Sequence, residues 1–565
     1  MGPVERALAA LVADATGTRL DVERAAPGAP GEFRVDARPL GEADGGDAVR
    51  ALAKTLADLP QVEAAVAVPP RVYLRLPAAF LADTVVAAVR AEGARYGWAP
   101  PRDEPIVFSI GCPNANKPLH VGHLRNCFLG NAVSKAFETQ GYDVWRTEEL
   151  ANFGLHVCQA LVAYERWGGG ATPESAGLKP DRFVGTWYTR FHEERLKLAV
   201  DDETPTELDE AAADLLRRQH AGDPDLLAVN ERVTEWAIAG IRETYERIGL
   251  RHDFVLRELE ALPVALALVE EGLRSGVCVR RDDGSVYVDL TDAGLGVVTL
   301  IRRDGTPLSL VCFVAIWVRR AQLHPHGRVV RITGEQWREG FSQFLEILRR
   351  LGHPEVADGT DGIWYGMIRS PDGKIRSRTG NEVSADALLD GFRDRFLSDW
   401  AAVLPSVEPY HRETCERLAV ALLKAFILGK RREDTIVYDN DAVWRDTVPR
   451  LGRLAAALRL GEDPPPARPG GPTGKAARRL VADLALALNA LPWTFARAAA
   501  RYDAADVLGQ ADRVARQAIE CERRGVLSPE LAVAAGRVVR NALWALDVTL
   551  PSSPRELPPA LDARR

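Results

Sequence analysis

The chain has 565 residues, of which 46% are hydrophobic and 27% charged, and its net charge is −7. This composition is typical of a globular protein with roughly three or four domains, and the acidic balance argues against a general nucleic-acid-binding protein while leaving room for a local basic face. No apolar stretch approaches the roughly 18 residues of a membrane helix, and the first residues lack a signal-peptide pattern, so we expect a cytoplasmic protein. Because the seven cysteines form no CxxC pair, we expect no metal site. We also expect a monomer.

Residues 1–100 predict a small α+β domain. Residues 4–15 carry apolar side chains at helical spacing, residues 71–76 alternate as a strand does, and residues 78–96 return to the helical pattern. The pair Pro100-Pro101 then interrupts the pattern and marks a predicted boundary.

Residues 104–400 predict an α/β domain with a parallel sheet. Its short apolar strands alternate with amphipathic helices, an order that places a ligand site at the carboxyl ends of the strands. A polar, helix-rich insertion interrupts this order at about residues 165–250. The strands are expected at 106–110, 142–147, 329–333 and 362–368.

Residues 401–565 predict helices only. The strongly apolar residues 418–428 open a helical bundle, and the Pro/Gly-rich segment 463–474 breaks it as a loop.

The first chemical motif is PNANKPLHVGHLR at residues 113–125, directly after a predicted strand. Pro118 can occupy the first position of a helix, so the helix would begin among His120 and His123 and direct its free amides at a ligand. Two imidazoles, a lysine and a glycine at a strand-to-helix turn suit a nucleotide phosphate chain.

The second motif is DGKIRSRTGN at residues 372–381, where two glycines bracket three cations. A short basic loop of this kind can close over a triphosphate and offset charge on leaving pyrophosphate. Taken alone the pattern is weak, because exposed basic Gly-rich turns are common.

Together the two motifs resemble one family. The tetrad HVGH at 120–123 is similar to the HIGH motif of class I aminoacyl-tRNA synthetases, and the longer string resembles its arginyl-tRNA synthetase form. The loop at 372–381 resembles the family's KMSKS loop in its arginyl form, G-K-x-x-x-R-x-G. The later lysine of that loop is absent here, and the resemblance implies that Lys117 supplies its charge.

The resemblance implies a Rossmann-like α/β catalytic domain, an N-terminal α+β domain of the type that contacts the tRNA elbow, and a C-terminal all-α bundle of the anticodon-binding type. It also implies amino-acid adenylation: the carboxylate attacks the α-phosphorus of ATP, which arrives with Mg²⁺ as a substrate, and tRNA accepts the acyl group. The implied catalytic residues are Lys117, His120, His123, Lys374 and Arg378. The implied ATP-binding residues are Pro113, Asn116, Gly122, Tyr365, Gly366, Met367 and Gly373.

The amino-acid pocket departs from the family pattern. A bound arginine needs carboxylates for its planar guanidinium, yet the position of a usual acidic residue holds Ser109, and those of a usual tyrosine and aspartate hold Ser309 and Phe313. An uncompensated guanidinium would cost several kcal/mol. The resemblance implies that the remaining acceptors for the substrate side chain are Glu258, Glu148 and Glu149. It implies that Asn114 and Gln336 bind the α-amino and α-carboxylate groups. Glu258 fits a salt-bridged surface residue equally well, and Gln336 a helix cap.

Three interpretations remain. The protein is an arginine–tRNA ligase with a divergent pocket; or an adenylating enzyme that uses another amino acid and passes it to tRNA or a small-molecule amine; or a non-catalytic tRNA-binding regulator. The intact His120, His123, Lys117 and Lys374 argue against the third. We expect the adenylating enzyme, with tRNA as acceptor and a specificity changed from arginine.

Overall fold

The computed structural model describes residues 1–40, 46–201, 204–324, 327–370, 373–374, 384–402, 408–467, 474–551, 558 and 561. In the part it describes, no helix is both long and apolar enough to cross a bilayer. The seven cysteines are free thiols.

The N-terminal region is an antiparallel sheet with helices on it. Strand residues Val72 and Leu74 are fully buried, as the alternating pattern predicts. The helix predicted over 78–96 ends earlier, because Gly93 adopts a φ of +56°. The elements are α1 (Pro3–Thr16), β1 (Val22–Arg24), β2 (Phe33–Asp36), α2 (Asp47–Ala57), β3 (Ala64–Val68), β4 (Arg71–Arg75) and α3 (Ala78–Glu92), with strand order β1-β2-β4-β3.

The central region contains a five-stranded parallel sheet with order β12-β11-β5-β6-β7. This is the doubly wound, Rossmann-like order in which the chain reverses direction across the sheet beside β5. The predicted fold class is therefore confirmed. The strands are β5 (Pro105–Ser109), β6 (Asp143–Leu150), β7 (Phe254–Arg257), β11 (Arg328–Gly334) and β12 (Thr360–Tyr365).

Helices cover this sheet, and the segment between β6 and β7 is helical as predicted. The helices of the central region are α4 (Val121–Thr139), α5 (Leu155–Trp167), α6 (Pro173–Ala176), α7 (Pro180–Leu198), α8 (Glu207–His220), α9 (Pro224–Ile248), α10 (Glu258–Ser275), α11 (Ser309–Leu323), α12 (Arg338–Arg350), α13 (Pro354–Asp358) and α14 (Ala385–Ala401). A small antiparallel sheet of order β10-β9-β8 lies between α10 and α11, formed by β8 (Cys278–Arg280), β9 (Val286–Asp289) and β10 (Val297–Ile301).

The C-terminal region is helical, but the prediction of helices alone is wrong. A two-residue strand there, β15 (Ile436–Val437), pairs in parallel with β13 (Ile368–Ser370), which also pairs with β14 (Gly373–Lys374). The strand predicted over 362–368 is divided between β12, which ends at Tyr365, and β13. The chain beyond β12 pairs instead with β15, where Ile436 N donates to Met367 O at 2.9 Å. The helices are α15 (Pro409–Leu428), α16 (Asn440–Glu462), α17 (Lys475–Asn489), α18 (Leu491–Arg501), α19 (Ala505–Arg523) and α20 (Pro529–Ala545).

Candidate active site

A cavity of about 400 Å³ opens where β5 and β11 lie side by side. This is the point at which strand order reverses, and ligands of such sheets bind in the crevice beyond the strand ends. Asn126 of α4 spans the crevice: its Oδ1 accepts from Gly111 N at 2.7 Å and its Nδ2 donates to Ile332 O at 2.8 Å. One buried amide thus fixes the spacing of the two strand ends.

Helix α4 begins beside this cavity, three residues later than predicted. The prediction that Pro118 is the first helical residue is wrong. The helix begins at Val121, and His120 before it is extended, with φ −126° and ψ 176°. The reason is a distant contact. Leu119 O accepts from Ala385 N at 2.8 Å, which holds residues 118–120 extended against the start of α14.

Both histidines hold the helix start through Nδ1. His120 Nδ1 accepts from Gly122 N and His123 Nδ1 accepts from His120 N, each at 3.1 Å. Burial, with help from the charge of Lys117, lowers the pKa of His120 to about 3, and burial together with the His120 ring lowers the pKa of His123 well below its usual range. A neutral imidazole whose Nδ1 accepts carries its proton on Nε2. The helix N-terminus therefore carries two neutral Nε2–H donors whose rings lie 3.8 Å apart, centroid to centroid.

Gly122 is required by this arrangement. A Cβ at residue 122 would lie 2.9 Å from His120 Cε1 and 3.0 Å from its Nδ1. Any side chain at this position would press on the His120 ring that caps the helix.

Arg331, in the middle of β11, forms the charged centre at the other end of the cavity. Its Nη1 donates to Glu149 Oε2 and to Ser109 Oγ, both at 2.8 Å. Ser109 Oγ and Cys112 Sγ also donate to Glu149 Oε2. Burial and the charge of Glu149 raise the pKa of Cys112 to about 12, so this thiol stays a neutral donor. The Arg331–Glu149 ion pair is buried, with side chains 13% and 1% exposed.

Aromatic side chains surround this ion pair. The Arg331 guanidinium carbon lies 4.8 Å from the Phe313 ring centroid and 5.3 Å from that of Trp317, both on α11. Phe341 and Phe344 of α12 complete the wall. The cavity is thus polar at the histidines and aromatic around one protein guanidinium.

The turn after α15 anchors the site from the C-terminal region. Arg125 Nη2, next to the histidines on α4, donates to Arg432 O at 2.9 Å and Asp434 O at 2.7 Å. Gly366 N donates to Arg432 O at 2.8 Å, and a Cβ on Gly366 would lie 2.5 Å from two carbonyl oxygens of this turn. The same turn therefore holds both α4 and the chain that leaves β12.

Comparison with known proteins gives the family. The model of the family described as "tRNA synthetases class I (R), catalytic domain" matches residues 85–403. The arginine–tRNA ligase of Treponema pallidum is 31% identical over 427 residues, which cover 74% of this chain and 70% of that protein. The chain belongs to the class I arginyl-tRNA synthetase family. This membership confirms the family that the sequence motifs indicate.

Other relatives match over a smaller share. The arginine–tRNA ligase of Amoebophilus asiaticus is 32% identical over 389 residues, and this chain spans 65% of its length; it spans 58% of the Treponema denticola ligase. Among solved structures, the arginyl-tRNA synthetase of Thermus thermophilus has a TM-score of 0.72 at 18% identity and covers 97% of this chain and 100% of its own. At that identity the likeness concerns the fold.

Half of the residues that the family resemblance implies lie together. They come from the ends of β5, β6, β11 and β12 and from the first residues of α4 and α11, so the crevice between strand ends explains their meeting. Those that line the cavity are Asn114, His120, Gly122, His123, Glu149, Ser309, Phe313, Gln336, Tyr365 and Met367.

Several implied ATP-binding and catalytic residues lie outside this cavity. Lys117 lines a neighbouring open groove together with His120. Asn116 is buried and donates to His156 O at 3.5 Å, and Pro113 O accepts from Ala151 N at 3.3 Å. Gly366 packs against the turn described above. Gly373 and Lys374 form the short strand β14, and Arg378 lies outside the described residues.

Three implied residues of the amino-acid pocket are buried outside the cavity lining. Ser109 is fully buried and bonds to Glu149 and Arg331. Glu258 is 4% exposed and bonds to the Cys312 thiol, so the surface alternative for this residue is wrong. Glu148 is likewise buried, where it accepts a hydrogen bond from Tyr245.

The sequence reasoning missed Arg331, Cys112, Trp317 and the strand-spanning Asn126. A signal for Arg331 was present: it stands between Val330 and Ile332 in a strand that the pattern marks as buried, where parallel sheets carry apolar side chains. A charge at such a position needs a partner, and the partner is Glu149.

Glu258 gives a pH-dependent prediction. Burial raises its pKa from 4.5 to about 8, so the folded protein keeps a proton that the unfolded chain releases above about pH 4.5. The contribution of Glu258 to the free energy of unfolding therefore falls as the pH rises from about 5 to 8. We expect Glu258→Gln to remove this slope. Thermal unfolding followed by circular dichroism should give nearly equal midpoints for variant and parent at pH 5. At pH 8 the midpoint of the variant should be higher by about 2 °C or more. If the difference between the two unfolding midpoints is the same at pH 5 and pH 8, the raised pKa of Glu258 is contradicted.

Proposed function

We propose that this protein activates an amino acid other than arginine with ATP and transfers the acyl group to tRNA. A carboxylate oxygen of the amino acid attacks the α-phosphorus, the bond to the β-phosphate oxygen breaks, and pyrophosphate leaves with its Mg²⁺. The acceptor is proposed because the relatives are named arginine–tRNA ligases.

The observation that carries adenylation is the pair of histidines at the start of α4. His120 and His123 are neutral, and their Nε2–H donors stand at the positive end of a 19-residue helix. Such donors suit phosphate oxygens, because they lie where the helix dipole already favours negative charge. Phosphoryl chemistry of this kind needs positioning and charge stabilisation rather than an acid or base.

The change of amino acid is supported by Arg331. The positions at which family members carry guanidinium-binding groups hold Ser109, Ser309 and Phe313. Ser109 Oγ is already bonded to the protein's own guanidinium, which also lies 4.8 Å from the Phe313 ring centroid. A bound arginine would bring a second guanidinium beside Arg331, with Glu149 already paired. Like charges this close in a buried site disfavour each other.

The test is ATP–pyrophosphate exchange with each of the twenty amino acids, with and without total tRNA, followed by transfer of the labelled amino acid to tRNA. Exchange with an amino acid other than arginine, and label on tRNA, would support both parts of the proposal. Exchange with arginine alone would overturn the changed specificity. Label that reaches only a small-molecule amine would overturn tRNA as acceptor, and no exchange with any amino acid would favour a non-catalytic regulator.

A further inference from the structure

The amino-acid end of the cavity has hydrogen-bond donors to spare. Arg331 lines the cavity, and each of its hydrogen bonds within the described residues uses Nη1. Its Nε and Nη2 therefore make none with that part of the chain, and the side chain keeps 13% of its surface exposed. Nε and Nη2 form one edge of the guanidinium fork, and this edge matches the two oxygens of a carboxylate.

The charge around this end is also positive. Arg320 of α11 is 2% exposed, and its Nε and Nη1 have no hydrogen-bond partner among the described residues. Burial lowers its pKa to about 10, so it stays charged at neutral pH. Burial raises the pKa of Glu148 to about 8, so this carboxyl group is largely protonated there. The charge of Glu149, the partner of Arg331, also acts on Arg320, so two buried guanidinium groups share one carboxylate.

We propose that Arg331 determines specificity and that the cavity takes an amino acid whose side chain ends in a carboxylate. The inference rests on the proposed function, since it names the substrate class of the same site. The side-chain carboxylate accepts two hydrogen bonds from the Nε and Nη2 edge of Arg331 while the aromatic wall of Phe313 and Trp317 holds the methylene groups. An anionic substrate side chain offsets the excess positive charge of Arg320. A neutral amide does not offset this charge, and a cationic side chain adds to it.

The experiment compares matched acids and amides. ATP–pyrophosphate exchange is measured with aspartate, glutamate and 2-aminoadipate, with asparagine and glutamine, and with arginine and phenylalanine, all in the presence of total tRNA. We expect exchange with at least one acidic amino acid, at a kcat/KM about 100-fold or more above that of its amide, because a site built for a charged group rejects an analogue that cannot pair with it.

A variant pair tests Arg331 itself. Arg331→Gln combined with Glu149→Gln replaces the buried ion pair by a neutral hydrogen-bonding pair. In this double variant the preference for acid over amide should fall to about tenfold or less, chiefly through a higher KM for the acid. Arg328→Gln, on the same strand but outside the cavity, is the control and should keep the preference. An unchanged preference in the double variant would overturn the role of Arg331.

The outcomes separate the two proposals. Exchange only with phenylalanine or an amide would overturn the carboxylate assignment and leave the proposed function intact. Exchange only with arginine would overturn both the carboxylate assignment and the changed specificity, but not adenylation. No exchange with any amino acid, although the protein binds ATP, would overturn the proposed function and this inference with it.

Discussion

Replacing His120 by alanine is expected to lower the rate of ATP–pyrophosphate exchange at least tenfold. The change removes an Nε2–H donor at the N-terminus of α4, where it would stabilise charge on the phosphates. Loss of one such donor in other enzymes lowers the rate by roughly 100- to 1,000-fold. The measurement is exchange with the amino acid that the panel identifies, with ATP varied so that kcat and KM are obtained separately.

The same substitution also removes a helix cap, because His120 Nδ1 accepts from Gly122 N. His120→Ser separates the two effects, since serine is a good N-cap but carries no imidazole donor. We expect the serine variant to recover most of the thermal stability lost in the alanine variant and little of the activity. His353→Ala, at a histidine before α13 that lies 3.8 Å from Glu355, should leave exchange unchanged. Full activity in the serine variant would mean that His120 acts only as a cap.

The sheet that positions these histidines could be predicted because its signals are local. The strands at 106–110 and 329–333 are short apolar runs, and each appears within about a residue of its predicted bounds, as Pro105–Ser109 and Arg328–Gly334. The start of α4 could not be predicted in this way. It depends on a hydrogen bond between Leu119 and Ala385, which are separated by most of the catalytic region.

The pocket shows the same limit. Its departures from the family pattern at Ser109, Ser309 and Phe313 are visible in the sequence, since each is a replacement at a known position. What fills the space is not visible, because Arg331 lies 222 residues from Ser109 and 182 from Glu149 along the chain. Only the fold brings β5, β6 and β11 together at that point.

The Arg331–Glu149 pair carries the second large expected effect, on stability. Arg331→Met should destabilise the protein by about 3 kcal/mol, because it removes the hydrogen-bonded partner of the buried Glu149 carboxylate. Glu149→Gln alone should also be destabilising, since it leaves the Arg331 guanidinium among aromatic side chains without the carboxylate that pairs with it. The surface pair Arg319–Glu260, whose side chains are 34% and 52% exposed, is the matched control. Arg319→Met should cost less than about 1 kcal/mol.

The decisive comparison is the double variant, Arg331→Met with Glu149→Gln, which removes both charges. The glutamine oxygen can still accept from Ser109 and Cys112, so the buried donors keep a partner. We expect the double variant to be more stable than either single variant. Its loss in free energy of unfolding should be smaller than the sum of the two single losses by at least about 2 kcal/mol, because substitutions of residues in direct contact are not additive. Urea unfolding of the four proteins gives these values. Single losses that simply add would show that the two side chains do not form a buried ion pair, and would remove the physical reason for excluding arginine from this pocket.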